Sequence, residues 1–112
     1  MKASGCYGLL VGIESLNPES INEMKKKVNR KINYDKVIDK IHERGIRLYV
    51  TFILGYGKDN KKDIEQAYNF ALKHKLFLTA FNHLVPFPGT PLYEKQKKEG
   101  NLRFQKWWLD DS

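Results

Sequence analysis

The chain has 112 residues and a mass of 13.1 kDa, which suits one domain and leaves no room for two. Hydrophobic residues make up 41% and charged residues 29% of it, a globular balance that excludes a disordered or fibrous chain. No apolar run approaches the roughly 18 residues of a membrane span, and the first residues lack the apolar stretch of a secretory signal. We therefore expect a soluble, cytoplasmic protein.

Basic residues outnumber acidic residues by 20 to 13, so the formal charge is +7. This balance favours anionic partners such as nucleic acid, nucleotides or phosphates. The basic residues are scattered, however, as Lys25, Lys26, Lys27, Lys61, Lys62, Lys73, Lys75, Lys95, Lys97 and Lys98. Solvated helix faces explain such scatter better than a dedicated binding patch does.

Strand and helix signals alternate from the start of the chain. Residues 8–13 form a short apolar run typical of a buried parallel strand. Asn17 and Pro18 suit the cap and the first position of a helix. A second helix is predicted from Asn33, with apolar residues at helical spacing and Gly45 as its left-handed C-terminal residue.

The alternation continues through the second half. A strand rich in β-branched and aromatic residues is predicted over 46–54, and residues 55–59 are typical of a turn. Asn60 and Asp63 then form a capping pair for a third helix. Residues 77–85 are predicted as the third strand.

A proline-rich loop and a short helix complete this pattern. Thr90 and Pro91 fit the cap and the first position of that helix, which is expected to end near Glu99. Strands that recur every ~35 residues with helices between them imply parallel pairing through crossover helices. The predicted fold class is therefore α/β, a partial (βα) barrel of three parallel strands with an uncovered inner face.

Functional groups of such barrels gather where the strands end. The segments that leave the predicted strands are residues 12–15, 53–57 and 83–91. Glu14 ends an apolar strand, where it could bind ligand hydroxyls or an ammonium with help from Ser15, or could instead cap a nearby helix. Gly55 and Gly57 could let the backbone approach a flat ligand, or could simply form a turn.

The remaining reactive side chains carry less information. His42 and His74 are expected to be solvated, and His83, late in the third strand, is most simply a histidine satisfied by its neighbours. No catalytic triad order, phosphate-loop pattern or zinc spacing is present. Cys6, the single cysteine, excludes an internal disulfide and a metal site built mainly from thiolates, and we expect it to be a small buried residue.

Three stretches in order nevertheless carry a family resemblance. They are Ser4-Gly5-Cys6 leading into residues 11–15, Gly45-Ile46 leading into residues 52–55, and residues 86–93. Together they resemble the later part of a radical S-adenosylmethionine enzyme core, of the kind often attached to a cobalamin-binding domain. The resemblance covers nearly the whole chain. It implies that residues 1–100 are strands four to six of a six-stranded barrel, and that residues 101–112 begin a truncated C-terminal extension.

The resemblance also implies a set of ligand-binding residues and cofactors. The residues are Glu14 and Ser15 beside the ribose and methionine of S-adenosylmethionine, Ile53, Leu54 and Gly55 near the adenine, and the backbone of Leu84 and Val85 at the adenine edge. The family also uses a 4Fe-4S cluster, and some members use cobalamin. The family's C-x-x-x-C-x-x-C loop is absent here, and a cluster needs several thiolates.

We therefore expect the chain to be inactive alone, with no metal ligands or catalytic residue of its own. Its expected partners are the missing N-terminal half of the barrel, or another chain that supplies it, and a small-molecule substrate. Two alternatives remain open. One is a non-enzymatic remnant or interaction module of the same fold, and the other is a small basic module whose binding to nucleic acid falls steeply with salt.

Overall fold

The computed structural model describes residues 1–24, 32–56, 59–104 and 106–109. The strands are β1 (Gly8–Glu14), β2 (Arg47–Leu54) and β3 (Leu78–His83). The α-helices are α1 (Pro18–Glu23), α2 (Tyr34–Glu43), α3 (Lys61–Lys73) and α4 (Pro91–Lys98), with 3₁₀ turns at Lys2–Ser4 and Trp107–Leu109. The alternation predicted from the sequence is confirmed, whereas Lys25–Lys27, Gly57 and Lys58 lie outside the described residues.

The strands form one open parallel sheet in the order β1-β2-β3. The β1 register starts at Gly8 opposite Arg47 and shifts between Gly12 and Glu14, so that Glu14 lies opposite Phe52. Parallel neighbours need crossover connections, which α2 and α3 supply. The predicted α/β class with three parallel strands is therefore confirmed.

The hydrophobic core lies between this sheet and its helices. Alternate residues of β2 point into it, and Phe52 at the centre is 0% exposed. The Phe52 ring stacks on Phe81 of β3, with ring centres 5.6 Å apart, and meets the edge of Phe70 from α3 at 6.3 Å. The buried members of the cluster are Ile13, Ile38, Leu48, Val50, Phe52 and Ala67.

In the described part of the chain, the second face of the sheet is left exposed at its amino end, and we call it the open face. Tyr49, Thr51 and Ile53 alternate with the buried residues of β2 and therefore belong to this face. Leu10 of β1 and Leu78 of β3 remain 67% and 51% exposed. An apolar sheet face of this kind needs a partner layer to be buried.

The predicted helix boundaries agree closely with the structure because side chains cap the helices. The cap oxygens accept backbone N–H groups in four pairs, Asn17 with Glu19, Asn33 with Lys36, Asn60 with Lys62, and Thr90 with Tyr93. Asn60 and Asp63 form the predicted reciprocal capping box. Gly45 has the predicted left-handed conformation, with φ of 65°.

Three local predictions differ from the structure. The third strand is shorter than 77–85, because its ladder with β2 runs only from Leu78 to His83. Cys6 is half-buried rather than buried, since it lies before β1 at the margin of the sheet.

The prediction that His74 is solvated is wrong. Its side chain is 6% exposed, its ring lies 4.4 Å from the Phe70 ring, and its Nε2 lies 2.9 Å from Asp35 Oδ1. His74 caps α3 and turns back between that helix and the start of α2. Burial here follows from helix packing, which a polar last turn does not reveal.

Candidate functional site at the carboxyl ends of the strands

The carboxyl ends of the three strands meet at one edge because the sheet is parallel. We call this edge the rim and define it as residues 14–17, 53–56, 59–60 and 83–90. Leu54 lies opposite His83, and the Leu84 N–H donates to the Leu54 carbonyl at 2.9 Å. The segments that follow β2 and β3 therefore run side by side.

Glu14 has the most unusual backbone at the rim. Its φ is 71°, a left-handed value that is uncommon for any residue other than glycine. The Ser15 N–H donates to the Ile13 carbonyl at 2.9 Å, which makes Glu14 the centre of a three-residue γ-turn. The form of this turn with positive φ is rare and strained, and such strain gathers at functional sites. The strained turn therefore makes Glu14 a candidate functional residue whose side-chain orientation is fixed by the backbone.

The Glu14 carboxylate folds back over Gly12. A side chain at position 12 would collide with Glu14 Oε1, and its Cβ would lie 3.6 Å from Thr51 Oγ1. Since Thr51 belongs to the open face, the half-buried carboxylate lies on that face near the rim. Its charge reaches Tyr34, whose pKa is raised first by burial and then by Glu14.

Ser15 lies beneath the rim rather than on its surface. It is 7% exposed, and its Oγ accepts a hydrogen bond from the Asn17 N–H at 3.0 Å. The side-chain cap of α1 is Asn17. The alternative that Glu14 caps a nearby helix stays a prediction. Contact between Ser15 and a ligand stays a prediction.

Ile53, Leu54 and Gly55 follow one another at the end of β2. Ile53 and Leu54 are half-buried, and Ile53 belongs to the open face together with Thr51. Gly55 has φ of 85°, and apart from its chain neighbours no atom of the described residues lies within 4 Å of the position that a side chain would take. Open space therefore lies in front of Gly55, as close approach of a ligand would require.

Leu84 and Val85 begin the loop after β3. The N–H of Leu84 is already used by Leu54, whereas Val85 is 36% exposed. The loop is held further along by Thr90, whose Oγ1 donates to the Phe87 carbonyl at 2.6 Å. These contacts give the proline-rich loop an architectural role, and adenine contacts at its start stay a prediction.

Asp59 is the rim residue that sequence analysis missed. One carboxylate oxygen, Oδ2, accepts the N–H groups of Gly55 at 3.1 Å and Tyr56 at 3.0 Å. The other, Oδ1, accepts from the hydroxyl of Ser20, which is 1% exposed. A signal was present in the acidic residue four positions after Gly55, but its partner Ser20 is distant in sequence.

A second contact joins the same two segments. The Asn17 amide donates to Asp63 Oδ1 at 3.3 Å, while Asp63 Oδ2 accepts the Asn60 N–H at 2.9 Å. The helix after β1 and the helix after β2 are thus tied by two carboxylates. This network holds the rim's first two loops in a fixed relation.

Cys6 lies at the opposite end of the sheet from the rim. It precedes β1, and its Sγ lies 3.5 Å from the Gly8 carbonyl. Among the described residues, no three of His, Cys, Asp and Glu gather as a metal site. None of the helices in the described part of the chain is both long and apolar enough to cross a membrane.

A shallow apolar cavity also lies at the amino end of the sheet. It has a volume of about 340 Å³ and is lined mainly by Tyr7, Leu10, Arg47, Tyr49 and Phe77. The Arg47 guanidinium lies 4.7 Å from the centre of the Phe77 ring. None of the predicted ligand-binding residues lines this cavity.

Several basic side chains have local acidic partners. Lys73 Nζ lies 2.6 Å from Asp35, and Lys61 and Lys95 pair with the glutamates one helical turn later. The hydrogen bond from Lys73 is the largest cause that lowers the pKa of Asp35; burial opposes it, and the charges of Lys73 and His74 lower the pKa further. These pairs fit the interpretation of solvated helix faces.

Comparison with known proteins finds no family model that matches the chain. It is 37% identical over 94 residues to a bacteriochlorophyllide d C-12(1)-methyltransferase of Chlorobaculum tepidum, a match that covers 84% of this chain and 21% of that protein. The homologues are methyltransferases. A second protein of the same organism, a bacteriochlorophyllide d C-8(2)-methyltransferase, is 27% identical over 93% of this chain and 23% of its own length.

Another relative is named for a different substrate. The hopanoid C-2 methylase of Rhodopseudomonas palustris is 29% identical over 84% of this chain and 18% of its own length. The chain thus spans about a fifth of the curated relatives that it matches.

Proposed function

We propose that this chain forms the later half of a radical S-adenosylmethionine methyltransferase core and holds part of S-adenosylmethionine at the rim. The observation that carries the proposal is the strained turn at Glu14, which directs a half-buried carboxylate onto the open face of the sheet. The methyltransferase relatives support the reaction class. The sequence motifs that resemble radical S-adenosylmethionine enzymes support the cosubstrate.

In this proposal each rim segment holds a different part of the ligand. The Glu14 carboxylate accepts hydrogen bonds from the ribose hydroxyls or the methionine ammonium, as a carboxylate can. Ile53 and Leu54 supply apolar contact to the adenine, and Gly55 leaves room for it. Because the Leu84 N–H is used, the adenine edge would meet the Leu84 carbonyl and the backbone of Val85.

The residues present do not fit an iron–sulfur cluster. Such a cluster is held by several thiolates, whereas the chain has one cysteine, Cys6, at the end of the sheet opposite the rim. We therefore derive no electron-transfer step from this chain. The cluster, and any cobalamin, would be held by residues outside it.

The open face of the sheet defines what the proposed partner must do. The first half of a barrel, from a longer polypeptide or a second chain, would cover Leu10, Tyr49 and Leu78 and would pair with the outer edge of β1. A closed barrel would exclude water from the ligand, which is the protein's share of a cofactor-based reaction.

The acceptor of the methyl group is proposed by class only. The relatives are named for methylation at C-12(1), C-8(2) and C-2 of their substrates. By analogy, we propose that this protein takes part in methyl transfer to a carbon atom of a small molecule.

The test is a titration of the isotope-labelled chain with S-adenosylmethionine, followed by backbone NMR. Shift changes are expected to gather at residues 14, 53–55 and 84–85. Glu14→Gln should weaken the apparent affinity about tenfold, as loss of a charged hydrogen-bond acceptor does, whereas Glu65→Gln, on the exposed side of α3, should not. Shifts centred on Tyr7 and Phe77 instead would contradict the proposal.

A second arm addresses the cluster. Anaerobic reconstitution of the chain alone with iron and sulfide should produce no visible absorbance of an iron–sulfur cluster, because one thiolate cannot hold it. Stable incorporation of a cluster would overturn the proposal that residues outside this chain hold it. A chain that neither binds S-adenosylmethionine nor shows rim shifts would support the alternative of a non-enzymatic module.

A further inference from the structure

The turn after β2 has the form of an anion-binding site that the protein fills itself. The consecutive N–H groups of Gly55 and Tyr56 both point at Asp59 Oδ2, at 3.1 and 3.0 Å. Consecutive amides in a turn with one left-handed residue form a concavity that binds anions, and Gly55 has φ of 85°. The Asp59 carboxylate occupies that concavity.

The same carboxylate reaches a second element. Its Oδ1 accepts the Ser20 hydroxyl at 2.6 Å, and Ser20 is 1% exposed within α1. α1 follows the Glu14 turn directly, with Ser15 and Asn17 joining the two. Asp59 therefore links the segment that presents Glu14 to the segment that presents Ile53 and Gly55.

We propose that Asp59 is a positioning residue for the rim. By holding Gly55 and Tyr56 with one oxygen and Ser20 with the other, it sets the separation of the two loops between which the ligand would lie. It acts through those residues rather than by contact with the ligand. This inference rests on the proposed function, since it assigns Asp59 to the arrangement of the S-adenosylmethionine site.

The geometry has a consequence for ligand recognition. The N–H groups of Gly55 and Tyr56 are already used by Asp59, so they are not hydrogen-bond donors to the ligand. Gly55 contributes open space and its carbonyl instead. A ligand contact that depends on the Gly55 amide is therefore excluded while Asp59 keeps its place.

The test compares Asp59→Ala with Asp39→Ala in the full chain. Asp39 is an exposed residue of α2, so its replacement removes the same charge outside the rim. In Asp59→Ala, hydrogen exchange at the Gly55 and Tyr56 amides should accelerate by about ten- to a hundredfold, the range expected for hydrogen bonds to a charged group. The apparent dissociation constant for S-adenosylmethionine should rise about tenfold, and Asp39→Ala should change neither.

A chemical rescue separates positioning from general destabilisation. Formate is a carboxylate small enough to enter the concavity that Asp59→Ala vacates, so it should restore amide protection and ligand affinity in that variant alone. Asp59→Asn retains an acceptor oxygen and should fall between the wild type and Asp59→Ala. If Asp59→Ala does not fold, the exchange rates and affinity of Asp59→Asn decide the matter.

The outcomes distinguish the two claims. Loss of amide protection in Asp59→Ala or Asp59→Asn with unchanged ligand affinity would overturn the positioning role and leave the proposed function standing. Unchanged amide protection would also overturn it. Failure of the wild type to bind S-adenosylmethionine would overturn the proposed function, and with it the ligand part of this inference, whatever the amides show.

Discussion

The carboxylate of Glu14 occupies the space that a side chain at Gly12 would fill. The two residues belong to the same strand on either side of a register shift, and the left-handed turn at Glu14 brings the carboxylate back over the strand. A glycine inside a strand weakens it and marks a close approach. At position 12 the close approach comes from a candidate ligand-binding group.

Because of this contact, a side chain at position 12 should affect ligand binding much more than it affects the stability of the fold. Gly12→Ala should change the free energy of unfolding by no more than about 1 kcal/mol, because the group displaced is the end of a flexible side chain. It should nevertheless weaken S-adenosylmethionine binding as much as Glu14→Gln does, since the carboxylate must leave its place. Urea unfolding and the NMR titration measure the two quantities.

Gly8→Ala is the matched control for that experiment. It lies in the same strand at the amino end, where an added Cβ would approach the Arg47 carbonyl at 3.3 Å. It should lower stability without changing ligand affinity. Equal loss of affinity in both variants would show that the Gly12 effect is general strain.

At two helix ends, introducing a glycine and removing one should have opposite effects on the free energy of unfolding. Gly45 after α2 and Lys75 after α3 both have left-handed backbone, with φ of 65° and 46°. This conformation costs a residue with a Cβ about 1–2 kcal/mol. Lys75→Gly should therefore raise the free energy of unfolding by about 1 kcal/mol, and Gly45→Ala should lower it by about as much. Denaturant unfolding of both variants checks the prediction, which fails if their effects have the same sign.

Phe52 should be the most sensitive core position. It is fully buried and contacts rings from β3 and α3. Phe52→Ala should cost about 3–5 kcal/mol, as large-to-small changes of buried aromatic residues do, and Phe52→Leu should cost less and permit a measurement if the alanine variant does not fold. Tyr68→Ala, on the exposed side of α3, should cost within about 0.5 kcal/mol. A loss at Tyr68 equal to that at Phe52 would contradict the described core.

Stability should fall in acid through Asp35. The hydrogen bond from Lys73 and the charges of Lys73 and His74 lower the pKa of Asp35 below its ordinary value. The folded state therefore binds the proton less readily than the unfolded state does. The stabilisation is complete above the unfolded pKa of about 3.9 and is lost as the pH falls through the folded value.

Asp35→Asn should reduce that acid dependence. The slope of stability against pH below about 4 should become shallower than in the wild type, whereas Asp39→Asn should leave it unchanged. Urea unfolding across the acid range provides the measurement. An unchanged slope in Asp35→Asn would show that Lys73 does not hold the carboxylate in solution.

Local sequence signals predicted most of the fold. Helix starts at Asn17, Asn33, Asn60 and Thr90 depend on a side chain and N–H groups two or three residues away, so a short stretch of sequence contains the whole interaction. The same holds for the left-handed Gly45. Parallel pairing followed from the length of the connections.

Local sequence signals predicted only part of the candidate site. Glu14 was predicted because a carboxylate at the end of an apolar strand is unusual. Its strained turn was not predicted. The turn coincides with a register shift against β2, and strand register depends on pairing between distant segments. Asp59 and Ser20 are 39 residues apart and meet only after α1 and the turn after β2 come together.

The sequence by itself determined the order of strands and helices, their caps, and the residues that reach the rim, because each of these depends on neighbours along the chain. Tertiary structure decided the burial of His74, the direction of the Glu14 carboxylate and the anchoring of the Gly55 turn by Asp59. The contacts of His74 with Asp35 and of Asp59 with Ser20 join segments distant in sequence, and the Glu14 turn lies at a shift in the pairing of β1 with β2, so their geometry is set by how the helices and the sheet pack together.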